Sequence, residues 1–236
     1  MRYPAKTPLP APLPPERRTV GQLIAESIKL YMERFWRLLP LGAPAVALTL
    51  AERAYGAGEG HLGFPSALHL GLLVAIESPL CAAAYVAAAV VVVGGAPRAR
   101  IVRAYALAVV VFAVFRVAVT FVVLPGLLWL ALVSLAVPAL LAEDLAPAQA
   151  LRRAVALVAV DAKHAVGGLL ALLAVTFIAA STLFVLLHTQ AANSSAVAAA
   201  LSNWVMFPVL FVGCAMLYVD QKARVDARAL TPAVAA

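Results

Sequence analysis

Two ionisable residues, Glu77 and Arg116, stand inside long apolar runs. A charge in such a place is costly in lipid, so it is either neutralised by a partner or put to use. Glu77 lies ten residues into the run 67–93, and Arg116 eight residues before the end of the run 101–124. If these runs are consecutive helices of opposite direction, a rise of about 1.5 Å per residue puts the two groups roughly 15 and 12 Å from the same membrane face. They can therefore meet. Three arrangements fit: an ion pair fixing the two helices together, a polar lining for an anion or proton path, or Arg116 snorkelling alone to the headgroups. Asn203, beside Ser202, is the other polar spot in an apolar run, and an interhelical hydrogen bond accounts for it without a ligand.

Other chemistry is not expected. His61, His69, His164 and His188 are scattered, with no HExxH and no Cys/His cluster of zinc spacing. A nucleophile elbow and a phosphate-cradling glycine loop are both missing. We therefore expect no catalytic residues, no cofactor and no metal. The adjacent acids Glu143 and Asp144 read as a negative cap for the helix that follows them. Cys81 and Cys214 both fall in apolar runs, where they read as small buried residues rather than a disulfide.

The elements that must position these groups follow from composition. Apolar residues make up 64% of the 236-residue chain and the mean hydropathy is +0.98. Soluble domains hold roughly 45–50% apolar residues, so lipid must solvate most of this surface. Continuous rather than alternating apolar runs exclude a barrel. Runs near the roughly 20 residues that cross a bilayer occur at 35–53, 67–93, 101–124, 126–142, 165–187 and 196–219. The formal charge of +7 would favour nucleic-acid binding in a soluble protein. Here all 18 Lys and Arg except Arg53 and Arg116 lie before or within three residues of the start of the first run, between the second and third or at the start of the third, between the fourth and fifth, or after the sixth. Positive charge collects on the cytoplasmic side. The expected fold is thus an all-α integral membrane protein of six transmembrane helices, both termini cytoplasmic, that does not bind nucleic acid.

Two further helices are expected on the cytoplasmic surface, at 19–36 and 146–163. Thr19 and Gln22 form a capping-box pattern, and Ile24, Ile28, Tyr31 and Phe35 recur on one helical face opposite Glu26, Lys29, Glu33 and Arg37. Leu151, Val155, Val158 and Ala162 repeat that spacing. Aligning Ile24 with Leu151 puts Gln22 on Gln149 and Leu30 on Leu157, which reads as an internal parallel repeat of interfacial helix plus membrane hairpin. The Pro-rich segment 1–18 reads as a disordered tail and 225–236 as a second tail, with no signal peptide at the start. Pro44, Pro79, Pro138 and Pro208 are expected to kink their spans. Tight external turns are expected at 55–66, at Pro125-Gly126 and at 189–195.

The stretch ALLAEDLAPAQALRRAVALV (139–158), the opening TVGQLIAESIKLYMERFWRLL (19–39) and the ending FPVLFVGCAMLYVDQKAR (207–224) together resemble the bacterial glycerophosphoryl diester phosphodiesterase membrane-domain family. In some members this membrane domain is joined to a catalytic domain that has no counterpart here, so the resemblance implies no enzymatic activity. It implies a bacterial inner-membrane protein acting as a non-enzymatic scaffold or accessory module. Its expected partners are a bilayer with anionic headgroups, met by the basic helices, and a second membrane protein. A transporter of a small or lipid-related solute, with a path near Glu77 and Arg116, is the competing expectation; an intramembrane enzyme is a third.

Overall fold

The computed structural model describes residues 13–54, 67–188 and 194–234, which are helical apart from short joints. In order they form α1 (Val20–Glu33), α2 (Phe35–Leu38), α3 (Ala43–Ala54), α4 (Ala67–Val93), α5 (Arg98–Phe121), α6 (Val123–Val133), α7 (Ala136–Glu143), α8 (Pro147–Val160), α9 (Ala162–His188) and α10 (Ser194–Val234). Residues 1–12, which include most of the expected tail, and the external connections 55–66 and 189–193 lie outside the described residues, as do the side chains of Arg53, His69 and His188.

Five helical stretches are long and apolar enough to cross a membrane: Leu70–Val93, Arg98–Phe121, Val123–Glu143, Ala162–Leu187 and Val197–Ala229. Large apolar side chains such as Val110, Phe121, Leu124, Phe177 and Ile178 stand outward from them. Water would penalise that surface, whereas hydrocarbon solvates it. The protein is a membrane-embedded helical bundle.

The expected first span, 35–53, is not a sixth helix of this kind. Its apolar part, Phe35–Leu50, is shorter, and it is broken into α2, a 3-10 turn at Leu39–Gly42 and α3. Pro40 and Pro44 lack the N–H groups that would continue an α-helical ladder through this point. The break is held against α10: Trp204 Nε1 donates to the Leu39 carbonyl at 2.8 Å. A Cβ on Gly42 would overlap the Trp204 carbonyl, whose own helical donor is missing because residue 208 is proline. Both sides of this contact are backbone, so neither can rotate away. Gly42→Ala should therefore cost about 1–3 kcal/mol through overpacking, read as a lower thermal midpoint in detergent. Gly21→Ala, where the added Cβ meets nothing within 4 Å, is the control and should not destabilise.

The reversal expected at Pro125-Gly126 occurs three residues earlier. Val122 is extended (φ −147°, ψ 115°) between α5 and α6, and Pro125 occupies the first turn of α6, where its missing N–H costs nothing. Gly126 lets α6 cross close to α5, because a Cβ there would lie 2.9 Å from the Val119 nitrogen. Pro138 opens the joint between α6 and α7 by leaving the Ser134 carbonyl without a helical donor. The Tyr85 hydroxyl supplies one at 2.7 Å. The joint between α8 and α9 is Asp161, whose Oδ1 accepts from the His164 N–H at 3.1 Å, as an N-cap does. α10 continues to Val234, well past the expected limit of 219, so most of the expected tail 225–236 is helix. At the other end, Pro15–Arg17 form a 3-10 turn, and Arg18 is docked on Asp220 rather than part of a disordered tail.

The capping box at Thr19 and Gln22 is present, with Thr19 N–H to Gln22 Oε1 at 3.1 Å. The packing face of α1 is rotated only slightly from the one its apolar periodicity picks out: Tyr31 is buried, Ile24 and Phe35 pack partly against the core, and Ile28 alone of the four turns outward. Leu23, Ser27 and Tyr31 are buried, while Ile28, Met32 and Trp36 form an outward row. α8 does the same: Ala150, Ala154, Leu157 and Val158 are buried and Val155 is turned out. At the alignment of Ile24 with Leu151, the buried Leu23, Ser27 and Tyr31 fall on the buried Ala150, Ala154 and Val158, and outward Ile28 falls on outward Val155. Gln149 accepts from the Ala146 N–H at 3.1 Å, matching Gln22.

Candidate functional site

α4 and α5 are joined by a turn at Gly94-Gly95, both at positive φ (88° and 110°), which glycine adopts without penalty. Glu77 and Arg116 lie at nearly equal distances along the chain from this turn, so antiparallel packing brings them level. Arg116 Nε is 3.1 Å from Glu77 Oε2, and the two side chains are 21% and 13% exposed. Thr120 donates to the Arg116 carbonyl at 2.8 Å. The charge is thus neutralised between two adjacent helices. The remaining residue singled out by sequence, Asn203, donates from Nδ2 to Thr49 Oγ1 at 3.3 Å, tying α10 to α3. It lies apart from the charged pair. Thr49 itself donates to the Ala45 carbonyl, so its hydroxyl keeps a partner without Asn203. Asn203→Leu should accordingly cost only about 0.6 kcal/mol, the mean for interhelical hydrogen bonds in membranes; equilibrium unfolding in mixed micelles would measure it.

Next to Glu77 lies a partly open cavity of about 140 Å³. Its wall is largely aromatic. Tyr85, Phe112 and Phe211 meet with ring centroids 5.9–6.1 Å apart, and Phe207 joins Phe211 at 5.7 Å, mostly edge to face. Cys81 and Cys214, both free thiols, line it too. So does Ser134, whose hydroxyl is buried and has no protein partner.

The basic end of the bundle carries a second polar layer. Glu143 and Asp144 do not serve as the N-terminal cap of α8 that their position implies. They stand at the C-terminal end of α7, where Asp144 takes a left-handed conformation (φ 52°). Asp144 receives Arg103 at 2.7 Å and Arg100 at 3.1 Å, and Arg100 also donates to the Leu141 carbonyl at 2.8 Å. The hydrogen bond from Arg103, then that from Arg100, hold the Asp144 carboxyl below its ordinary range. Its contribution is therefore present at neutral pH and lost as pH falls through that depressed value. Glu143 pairs with Arg153 at 3.0 Å and accepts from the Tyr218 hydroxyl at 2.9 Å. Arg103 and Arg153 belong to matching segments: Ala96-Pro97 and Ala146-Pro147 are each followed, at the same distances, by Arg-Ala and then Ala-Leu. That similarity was legible in the sequence and would have pointed both arginines at a common acidic target.

Asp220 is the residue that sequence reading passed over. Fully buried in α10, it holds Arg18 from the segment before α1, and His164 Nε2 at the start of α9 lies 3.6 Å away. Arg224, one turn on, pairs with Asp161 at 2.8 Å and donates to the Arg18 carbonyl at 2.7 Å. An acid directly after the last apolar run, inside a basic segment, was the available signal. Among the described residues no group of three or more His, Cys, Asp or Glu could hold a metal ion.

Compared with protein-family models, curated proteins and solved structures, the chain matches none.

Proposed function

We propose that this protein is a non-enzymatic membrane scaffold or accessory module, with the intramembrane charges serving to hold the bundle. The observation that carries this reading is the Glu77–Arg116 pair, in which the two charges answer each other across α4 and α5. The ion pairs at the basic end support it, because they join segments distant in sequence: Arg18 to Asp220, Arg103 to Asp144, and Arg224 to Asp161. In this reading the broken segment Phe35–Leu50 is a sixth crossing, and both termini share the cytoplasmic side of a bacterial inner membrane. α1 and α8 lie along that surface with their outward apolar rows in lipid and the exposed Lys29 and Arg152 at anionic headgroups. The likeness of 139–158 to the phosphodiesterase membrane-domain family points to a membrane protein as the partner.

The cavity beside Glu77 favours a second reading, a transporter of a small or lipid-related solute. The experiment that separates them replaces Cys81 and Cys214 by Ala, introduces Ser78→Cys next to Glu77, and applies a membrane-impermeant maleimide. A scaffold leaves that buried position unlabelled and copurifies with a stoichiometric membrane protein in mild detergent. Rapid labelling from either face would replace it with the transporter. Reporter fusions reading opposite faces at the two termini would overturn the topology.

A further inference from the structure

At the basic end an open cleft of about 490 Å³ lies between the ends of α4 and α7, the start of α5 and the stretch 218–226 of α10. That size falls within the roughly 300–1,000 Å³ of ligand sites. From its walls we infer a site for the head of a zwitterionic phospholipid, phosphatidylethanolamine, with the phosphate on Lys222 and the ammonium on Asp226.

Position is the first reason. The apolar spans stop here: α4 ends at Val93, and the apolar run of α10 ends at Val219. Val92, Val93, Ala142 and Val219, all partly exposed, line the cleft up to that level, and Lys222 and Asp226 line it beyond. An amphiphile thus meets apolar side chains along its tail and charge at its head, whereas a soluble phosphate would leave the apolar wall in water. Charge is the second reason. The other cation of the cleft, Arg100, is already answered, with its terminal nitrogens on Asp144 and the Leu141 carbonyl. Lys222 and Asp226 remain, and neither has an ion-pair partner among the described residues. Asp226 is exposed, and the Lys222 ammonium is not closed off from the cleft. They stand four residues apart with the cation first, the less favourable order for a helical pair. An anionic lipid would set its head against Asp226, while an ethanolamine head puts an opposite charge on each residue. One helical turn separates the two, roughly 6 Å, a spacing that a phosphate and an ammonium joined by two carbons bridge. A choline head has no N–H to donate to the carboxylate.

The site rests on the reading above only in setting the basic end at the headgroups. It stands for a scaffold or a transporter, and the maleimide labelling and reporter fusions are read independently of it. The test is native mass spectrometry of the full chain in detergent, titrated with phosphatidylethanolamine, phosphatidylcholine and phosphatidylglycerol of the same acyl chains. We expect saturable adducts with the ethanolamine lipid, and adducts about fivefold weaker with the other two, the scale of one solvent-accessible ion pair. Lys222→Gln should weaken the ethanolamine and glycerol lipids alike, since both carry the phosphate. Asp226→Lys should reverse their order, a gain that a misfolded protein does not produce. Arg152→Gln, on the exposed face of α8, should change neither. Equal binding of the ethanolamine and glycerol lipids, or an unchanged order in Asp226→Lys, would overturn the proposal. So would glycerophosphoethanolamine competing as well as the intact lipid, which would make this a site for a soluble headgroup.

Discussion

Arg116→Glu should leave little folded protein in the membrane fraction, and adding Glu77→Arg should bring most of it back. The single change sets two carboxylates against each other where Arg116 and Glu77 now stand 3.1 Å apart, mostly out of contact with solvent. One of them must take up a proton or the helices must part, since like charges this close cannot both ionise. Removing one member of a buried pair costs about 3–5 kcal/mol, a large share of the 5–15 kcal/mol that holds an ordinary domain together. The double exchange restores opposite charges across the same two helices, α4 and α5. Folded yield by fluorescence-detected size exclusion, read for both singles and the double, checks this. Should the double be as poor as Arg116→Glu alone, the pair would not be a simple structural bridge, and a directional role for one of the charges would follow.

The arithmetic that set Glu77 and Arg116 at one depth worked because it needed only helix rise and opposite direction, both fixed by continuous apolar runs. Three other features were hidden for physical reasons. Hydrophobic periodicity found the packing face of α1 only in part, since lipid is as apolar as a protein core. Ile28, Met32 and Trp36 gain as much from hydrocarbon as they would from a neighbour, and the face that packs is the one carrying Leu23, Ser27 and Tyr31. The break at Leu39–Gly42 depended on a contact made across the fold with Trp204. Pro40 and Pro44 marked where a break was allowed, without showing what would fill it. The end of α10 was misjudged because apolarity stops near Val219 while helix propensity continues: no proline or glycine interrupts the segment from Asp220 to Leu230. Reading it as a tail removed Asp220, Gln221 and Arg224 from the packed part of the molecule.

That last omission has the largest consequence at the basic end. Asp220→Ala should free the segment before α1. The Asp220 side chain is 0% exposed and that of its partner Arg18 only 11%, so removal of the carboxylate leaves a guanidinium with no counter-charge in a place closed to water. If Arg18 stays, the cost is about 3–5 kcal/mol. Swinging out relieves that penalty, but the Arg18 carbonyl then loses its bond from Arg224, and the turn at Pro15–Arg17 leaves α10 with it. Either way the thermal midpoint in detergent falls, and trypsin cuts faster after Arg18. Arg18→Ala should cost a similar amount, because it strands the fully buried Asp220 carboxylate, whose nearest remaining basic neighbour is His164 at 3.6 Å. In the double variant the two losses should sum to less than the singles, with a coupling within the 0.5–3 kcal/mol range of residues in direct contact. Unchanged cleavage and midpoint in Asp220→Ala would show that this buried ion pair does not anchor the chain, and that α1 is held by its own row of Leu23, Ser27 and Tyr31.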